Sequence, residues 1–276
     1  MRILVTGAGG QLGRALGPAL RDHEVTGLDH ARLDIADPGA VQAALRVHRP
    51  ELLVNAAAYN AVDRAETERE AAFRVNAEGP RVLAEATAEV GSTLLHVSTD
   101  YVFDGEKGAP YDEGDRPNPL SVYGQSKLAG ENVVRRANPR HYVVRTAWVY
   151  AHGGKNFPLT ILDLAKRGPV RVVDDQRGSP TFAPHLAVAI AELVGTGAYG
   201  IWHLAGSGEA SWYELTLELF RSYGIDTPVI PVTTAEFPRP APRPRGAPLV
   251  SAREPRIRLP PWRVGLAAFV RGLPPM

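Results

Sequence analysis

The stretch SVYGQSKLAGE, residues 121–131, sets Tyr123 and Lys127 four positions apart, the spacing at which two side chains share one face of a helix. Lysine is scarce in this chain: it supplies four of the 31 basic residues and arginine the rest, so Lys127 stands where a bare positive charge is not the whole requirement. A phenol with a pKa near ~10 is a poor acid-base group at neutral pH, and a neighbouring cation favours its phenolate and lowers that value. A tyrosine tuned in this way can hand a proton to a carbonyl oxygen while hydride reaches the carbonyl carbon. The compact ammonium can hold sugar hydroxyls at the same time, whereas arginine's planar fork suits carboxylates and phosphates. Ser98 and Thr99 close the apolar run LLHVST upstream, and open α/β sheets place their chemistry at such carboxyl ends of strands. On its own, Tyr-x-x-x-Lys also describes an ordinary exposed helix, so the surrounding elements must decide.

The segment TGAGGQLG sets Gly7, Gly10 and Gly13 at three-residue spacing between the first apolar run and the first helical one, which Gln11 and Leu12 open. The spacing alone is a weak signal. Its position between strand and helix is a strong one, because backbone N–H groups and the helix dipole then face an anion, and glycine lets a pyrophosphate approach the main chain. Asp29 ends the second strand, where a carboxylate can accept adenosine ribose hydroxyls and argues for NAD; Arg14 and Arg32 lie close enough to welcome a 2′-phosphate instead. Asp34 and Ile35 follow at a spacing suited to the adenine ring. With a dinucleotide there, Lys127 would hold the nicotinamide ribose.

Residues 1–150 alternate β-rich runs with helical ones, which implies a parallel sheet covered on both faces. The fold expected is α/β: a Rossmann-type doubly wound sheet with a smaller C-terminal α/β substrate-binding lobe. We assign 1–150 to the dinucleotide-binding domain, joined by a returning segment near 184–205, and 151–183 with 206–276 to the smaller lobe. HYVVRTAWVY reads as one strand, and helices are expected over Pro158–Arg167, Pro184–Val194 and Trp212–Tyr223. The tract PRPAPRPRGAP is expected to lie as extended coil on its own domain. A formal charge of +1 from 31 basic and 30 acidic residues gives no case for nucleic acid or an anionic membrane as a partner. There is no cysteine, hence no disulfide or thiolate zinc site, and no apolar run approaches the ~20 residues of a membrane span. MRILVTGAGG reads as a strand and not as a signal sequence, so a cytoplasmic location is expected.

The whole pattern resembles the extended short-chain dehydrogenase/reductase superfamily. More narrowly, NAAAYNAVDRAE, STDYVFDG, YGQSKLAGE, RTAWVY, DDQRGSPT, WYEL and LPPWRVGL resemble the dTDP-4-dehydrorhamnose reductase family in order and spacing over nearly the whole chain. The resemblance implies NADPH, with NADH as an alternative, reducing the 4-keto group of a dTDP-sugar in the last step of dTDP-L-rhamnose synthesis. It implies Thr99 at the keto oxygen, Tyr123 as proton donor and Lys127 tuning it. Asp100 and Tyr101 match positions near nicotinamide and sugar, and Trp148 matches a substrate-contacting indole. Ala56, Ala57 and Ala58 match the strand end past which the cofactor runs, while Asn156 and Arg177 are candidate contacts of the nucleotide phosphates, Arg177 reading equally as a surface charge.

Some members of that family form a dimer around magnesium held by glutamates; the matching positions here are Ala15, Pro184 and Gly272. None offers a carboxylate, and Mg²⁺ needs oxygen ligands, so the expectation is no metal site, and a monomer or a dimer not bridged by magnesium. The RPRGAP segment also lacks the Asn-Ser pair frequent in the family. Two rivals remain. A dehydratase or epimerase shares the scaffold, but dehydratases follow the threonine with Asp-Glu, and here Asp100 precedes Tyr101. A cofactor-binding regulatory subunit, like the methionine adenosyltransferase β subunit, would not need the intact Thr99, Tyr123 and Lys127. Reduction of another 4-ketohexose nucleotide also stays open.

Overall fold

In the computed structural model, which describes residues 1–274, the first half runs β1 (Arg2–Thr6), α1 (Gln11–Ala19), β2 (Glu24–Leu28), α2 (Pro38–His48), β3 (Leu52–Asn55), α3 (Val62–Ala65), α4 (Arg69–Phe73), a π turn (Arg74–Glu78), α5 (Gly79–Glu89), β4 (Thr93–Thr99), a 3-10 turn (Asp100–Val102), α6 (Val122–Ala137) and β5 (His141–Thr146). It continues through β6 (Val149–Tyr150), α7 (Phe157–Ala165), β7 (Val170–Val173), β8 (Arg177–Gly178), β9 (Thr181–Phe182), α8 (Ala183–Val194), β10 (Gly200–His203), β11 (Ala210–Ser211), α9 (Trp212–Tyr223), β12 (Val229–Val232) and α10 (Trp262–Arg271).

Six parallel strands form the central sheet in the order β10-β5-β4-β3-β1-β2. Every residue of β3 is buried, as a strand covered on both faces requires. Alternation along β1 sends Ile3 and Val5 to one face, with Leu12 and Leu16 of α1 and Leu186 and Ile190 of α8, and Leu4 to the other, with Val41, Leu83 and Val134 of α2, α5 and α6. The reversal of strand order between β1 and β3 opens the crevice where such sheets bind ligands. The fold is therefore the doubly wound α/β arrangement expected. A second core gathers α7, α9, α10 and the short strands around Phe220, Trp262 and Phe269.

Two expectations change in detail. HYVVRTAWVY is not one strand: β5 ends at Thr146, and β6 leaves the sheet to pair with β9. The break is at Trp148, whose φ of +46° lies in the left-handed region that a bulky residue rarely enters. The helix expected over Pro158–Arg167 begins at Phe157, where the Asn156 side chain caps it by accepting from Leu159 N, and ends at Ala165. Between β3 and β4, α3, α4, the π turn and α5 follow in succession. The proline-arginine tract is coil held to the body at Arg177–Gly246 and Tyr111–Leu249.

Candidate active site

The glycine loop is built for close approach. Gly7 has φ +70°, and a Cβ there would come within 2.5 Å of Ala57 N; one on Gly13 would come within 2.7 Å of Ala8 Cα. Gly10 N donates to Gly7 O at 2.9 Å, and Gly10, as the N-cap of α1, brings no side chain to that helix's free N–H groups. Gln11 and Leu12 start the helix, and Ala56, Ala57 and Ala58 follow β3 alongside Gly7. Asp29 is exposed at the end of β2 and accepts from Arg32 N at 3.2 Å, while Arg32 Nη1 donates to Gly27 O. Carboxylate and guanidinium thus share the spot where an adenosine ribose would sit. Asp34 is paired with Arg74 at 2.5 Å, which holds its carboxyl below the usual range. Ile35 turns its side chain into the core against Gly79.

Thr99, Tyr123 and Lys127 are all buried. Thr99 ends β4 and donates to Asp100 Oδ1 at 2.9 Å, Ser121 caps α6, and Tyr123 and Lys127 lie on the first two turns of that helix. Tyr123 Oη reaches Asn60 Oδ1 at 3.5 Å, and its ring meets Tyr101 edge-on at 5.5 Å. Burial pushes the Tyr123 phenol up, the hydrogen bond with Thr99 draws it part-way back, and Asp100 and Tyr101 push it further up. The lowering expected from Lys127 is thus replaced by a rise. Lys127 Nζ donates to Val97 O at 2.7 Å and stands 3.5 Å from His96 Nε2, and burial lowers its pKa to about 8 against the pull of Glu131. Burial raises Asp100 to about 7 and Tyr101 to about 12.

Beyond this trio opens a cleft of about 800 Å³ whose lining includes Tyr101, Phe157, Trp212, Arg171, Arg239 and Arg243. Trp148 stacks on Trp212, and Asn156 also lines the cleft, its amide already donating to Gln11 Oε1 and Ala151 O. Of the two readings of Arg177 the geometry favours the surface charge: Glu209 at 2.8 Å and Glu214 at 3.2 Å engage its guanidinium, which removes the free charge a phosphate would need, and it does not line the cleft.

Sequence reasoning missed several groups. Asp63, in the first turn of α3, binds both Arg239 and Arg243, and although burial raises its pKa these guanidiniums bring it to about 2. Asn76 on the π turn bonds Tyr59 N and Ser126, fixing α6 against the loop after β3. Glu131 pairs with Arg145 at 2.7 Å in full burial and accepts from Ser98 Oγ. The quoted segment NAAAYNAVDRAE held Asp63, but its partners lie more than 170 residues on.

A family model described as RmlD substrate binding domain matches residues 1–273. The chain is 45% identical over 283 residues to a dTDP-4-dehydrorhamnose reductase of Streptomyces griseus, covering 99% of this chain and 93% of that protein. It is 47% identical over 251 residues to a probable dTDP-4,6-dihydroxy-2-methyloxan-3-one 4-ketoreductase of Streptomyces antibioticus, covering 88% and 85%. A dTDP-4-dehydrorhamnose reductase of Bacillus anthracis, solved in complex with NADP, superposes with a TM-score of 0.96 at 37% identity over 99% of both chains.

Proposed function

On the premise that the chain belongs to the RmlD substrate binding domain family, we propose that it is an oxidoreductase that reduces the 4-keto group of dTDP-4-dehydro-β-L-rhamnose to give dTDP-L-rhamnose. The observation that carries this reading is the burial of Thr99, Tyr123 and Lys127 together between a glycine cradle and an arginine-lined cleft. NADPH, with NADH as an alternative, supplies the hydride; the NADP in the Bacillus anthracis relative supports the phosphorylated form. The residues present fit it: Gly7 and Gly13 let the loop pack tightly on the backbone of Ala56, Ala57 and Ala8, and Gly10 leaves the N-terminal N–H groups of α1 without a side-chain cap, open to a pyrophosphate.

Thr99 donates to the keto oxygen, and Tyr123 gives that oxygen its proton. A phenol kept protonated by burial suits this step, because it holds its proton until the carbonyl oxygen becomes basic. Lys127 holds ribose hydroxyls close to the phenol. Asp100, Tyr101 and Trp148 face the sugar, and Arg171, Arg239 and Arg243 stand where the cleft can take a diphosphate. Residues 1–150 with 184–205 form the cofactor half, and 151–183 with 206–276 the sugar-nucleotide half. A second reading, reduction of another dTDP-ketohexose, draws on the similarity to the Streptomyces antibioticus ketoreductase.

A dimer bridged by magnesium is not part of the reading. Ala15, Pro184 and Gly272 offer no carboxylate, and the His152 ring fills the space beside Gly272, where a Cβ would come within 2.6 Å of His152 Cε1. We place the protein in the cytoplasm, as a monomer or a dimer built otherwise; among the described residues no helix is long and apolar enough to cross a membrane. The test is a product assay. Purified protein, NADPH and enzymatically made dTDP-4-dehydrorhamnose should lose the reduced-nicotinamide absorbance and yield dTDP-L-rhamnose, unaffected by EDTA. No turnover with either NADPH or NADH would sink the assignment, and turnover only with a different dTDP-ketohexose would favour the second reading.

A further inference from the structure

Behind Lys127 lies a buried polar chain that the reaction itself does not use. Asn55, at the end of β3, accepts through Oδ1 from Thr6 Oγ1 at 2.7 Å and from Ala57 N at 3.1 Å. Its other amide atom, Nδ2, is 3.0 Å from His96 Nδ1, and His96 Nε2 is 3.5 Å from Lys127 Nζ. Thr6, Asn55, His96 and Lys127 are each at most 2% exposed. The Ala57 backbone N–H can only donate, so the amide cannot turn over without setting two donors against each other. Asn55 Nδ2 must then donate to His96, and a ring accepting at Nδ1 carries its single proton on Nε2.

We propose that Asn55 fixes the tautomer of His96 so that an Nε2–H faces Lys127, making His96 a positioning residue that sets a donor, not an acceptor, beside the active-site amine. This rests on the reductase reading for its relevance to catalysis. The remaining groups around Nζ are few. β4 presents the Val97 carbonyl; α6 presents Glu131, with Tyr123 one helical turn before Lys127; and Glu131 is itself held by Arg145 of β5 and Ser98 of β4. An N–H pointing at an ammonium opposes its charge and favours the neutral amine, which can accept that N–H. Burial acts in the same direction, and holds the ring itself neutral by lowering His96 well below its ordinary value. Lysine in its ammonium form, made a readier acid in this way, can return a proton toward the Tyr123 phenolate after each turnover: an Nζ–H bond of the ammonium breaks, the phenol O–H forms, and the neutral amine left behind takes up a proton from solvent.

The scarcity of lysine makes the test direct. Lysine labelled with ¹³C at Cε gives four side-chain resonances, and Lys127→Arg identifies the one of interest; long-range ¹⁵N correlation reads the His96 tautomer, with His96→Phe identifying its signals. In the wild type, His96 should carry its proton on Nε2 across the neutral range. Asn55→Asp replaces the donor by an acceptor, so the proton should move to Nδ1 and the Lys127 midpoint should rise by about one unit, a tenfold change in its dissociation constant. His96→Phe, which removes the N–H without adding charge, should raise it too. An Nδ1-protonated His96 in the wild type overturns the proposal even if neither variant folds. So does a Lys127 midpoint that stays put in both variants, or one that moves in Asn55→Asp with the tautomer unchanged. A wild type that turns over no sugar nucleotide would sink the reductase reading and leave this result standing.

Discussion

The indole of Trp148 lies flat on that of Trp212, ring centroids 3.4 Å apart and planes 3° apart, on a backbone held at φ +46°. A left-handed conformation for a bulky residue persists only where surroundings over-determine it, and Gly178 completes them: a Cβ there would come within 2.6 Å of Trp148 Nε1. Trp212→Ala should release the Trp148 backbone and raise KM for the sugar nucleotide about two- to tenfold, the worth of one aromatic pair, with kcat changed less. Trp212→Phe should fall between. An unchanged KM in steady-state assays would show that the stack does not set the sugar-facing wall.

Tyr123→Phe should lower kcat by roughly 10²- to 10⁴-fold while leaving cofactor affinity near normal, because only the proton donor is lost. Fluorescence titration with NADPH beside the rate assay separates the two. A variant within a few-fold of wild-type kcat would remove Tyr123 from the chemistry.

Lys127 is a base whose folded value, about 8, lies below its ordinary 10.5. Between those values the unfolded chain binds more protons than the folded one, so stability rises with pH through that window and the penalty is full below about 8. Denaturant midpoints should climb from pH 7.5 to 9.5 in the wild type and climb less in Lys127→Met. Lys127→Arg, which brings a wide fork to the Val97 carbonyl, should cost most of the activity despite keeping the charge.

For Asp100 the sign is opposite. Burial raises this acid from 3.8 to about 7, so the folded state holds a proton that the unfolded chain releases, and stability falls as pH rises through that interval. Asp100→Asn should gain stability on the order of 1–3 kcal/mol over wild type at pH 8 and about nothing at pH 4. Calorimetry at the two pH values decides it, and equal differences at both would contradict the assignment.

The Glu131–Arg145 pair is bidentate and almost fully buried. Glu131→Leu and Arg145→Met should each cost about 3–5 kcal/mol, since each leaves a buried charge alone, and the double variant should lie nearer wild type than either single one. Additive losses in urea unfolding would mean that the two charges are not partners.

The sheet, its crevice and the glycine cradle were legible because they follow from local pattern: continuous apolar runs, three glycines, and a helix start. Tyr123 and Lys127 were legible as neighbours because four residues make one helical turn. The sign of the Tyr123 shift was not, since proximity of charge can be counted along a helix whereas desolvation depends on what the finished fold packs around the phenol. Arg177 looked free because Glu209 and Glu214 stand 32 and 37 residues downstream. His96 reads in sequence as one more residue of an apolar strand; only the folded sheet sets it between Asn55 and Lys127. The helix boundaries moved by a residue or two where a side chain, as at Asn156, supplied the cap.

The ties from Asp63 to Arg239 and Arg243 have a consequence for how the molecule is made. A chain emerging from the ribosome can lay down β1 to β5 early, yet the sheet edge waits for β10, and the wall of the cleft waits for residues 176 to 180 positions beyond Asp63. Closing so long a loop is slow relative to local pairing. The cofactor cradle is therefore complete well before the cleft beside it has its far wall, and a nascent chain can hold its nucleotide before it can hold its sugar.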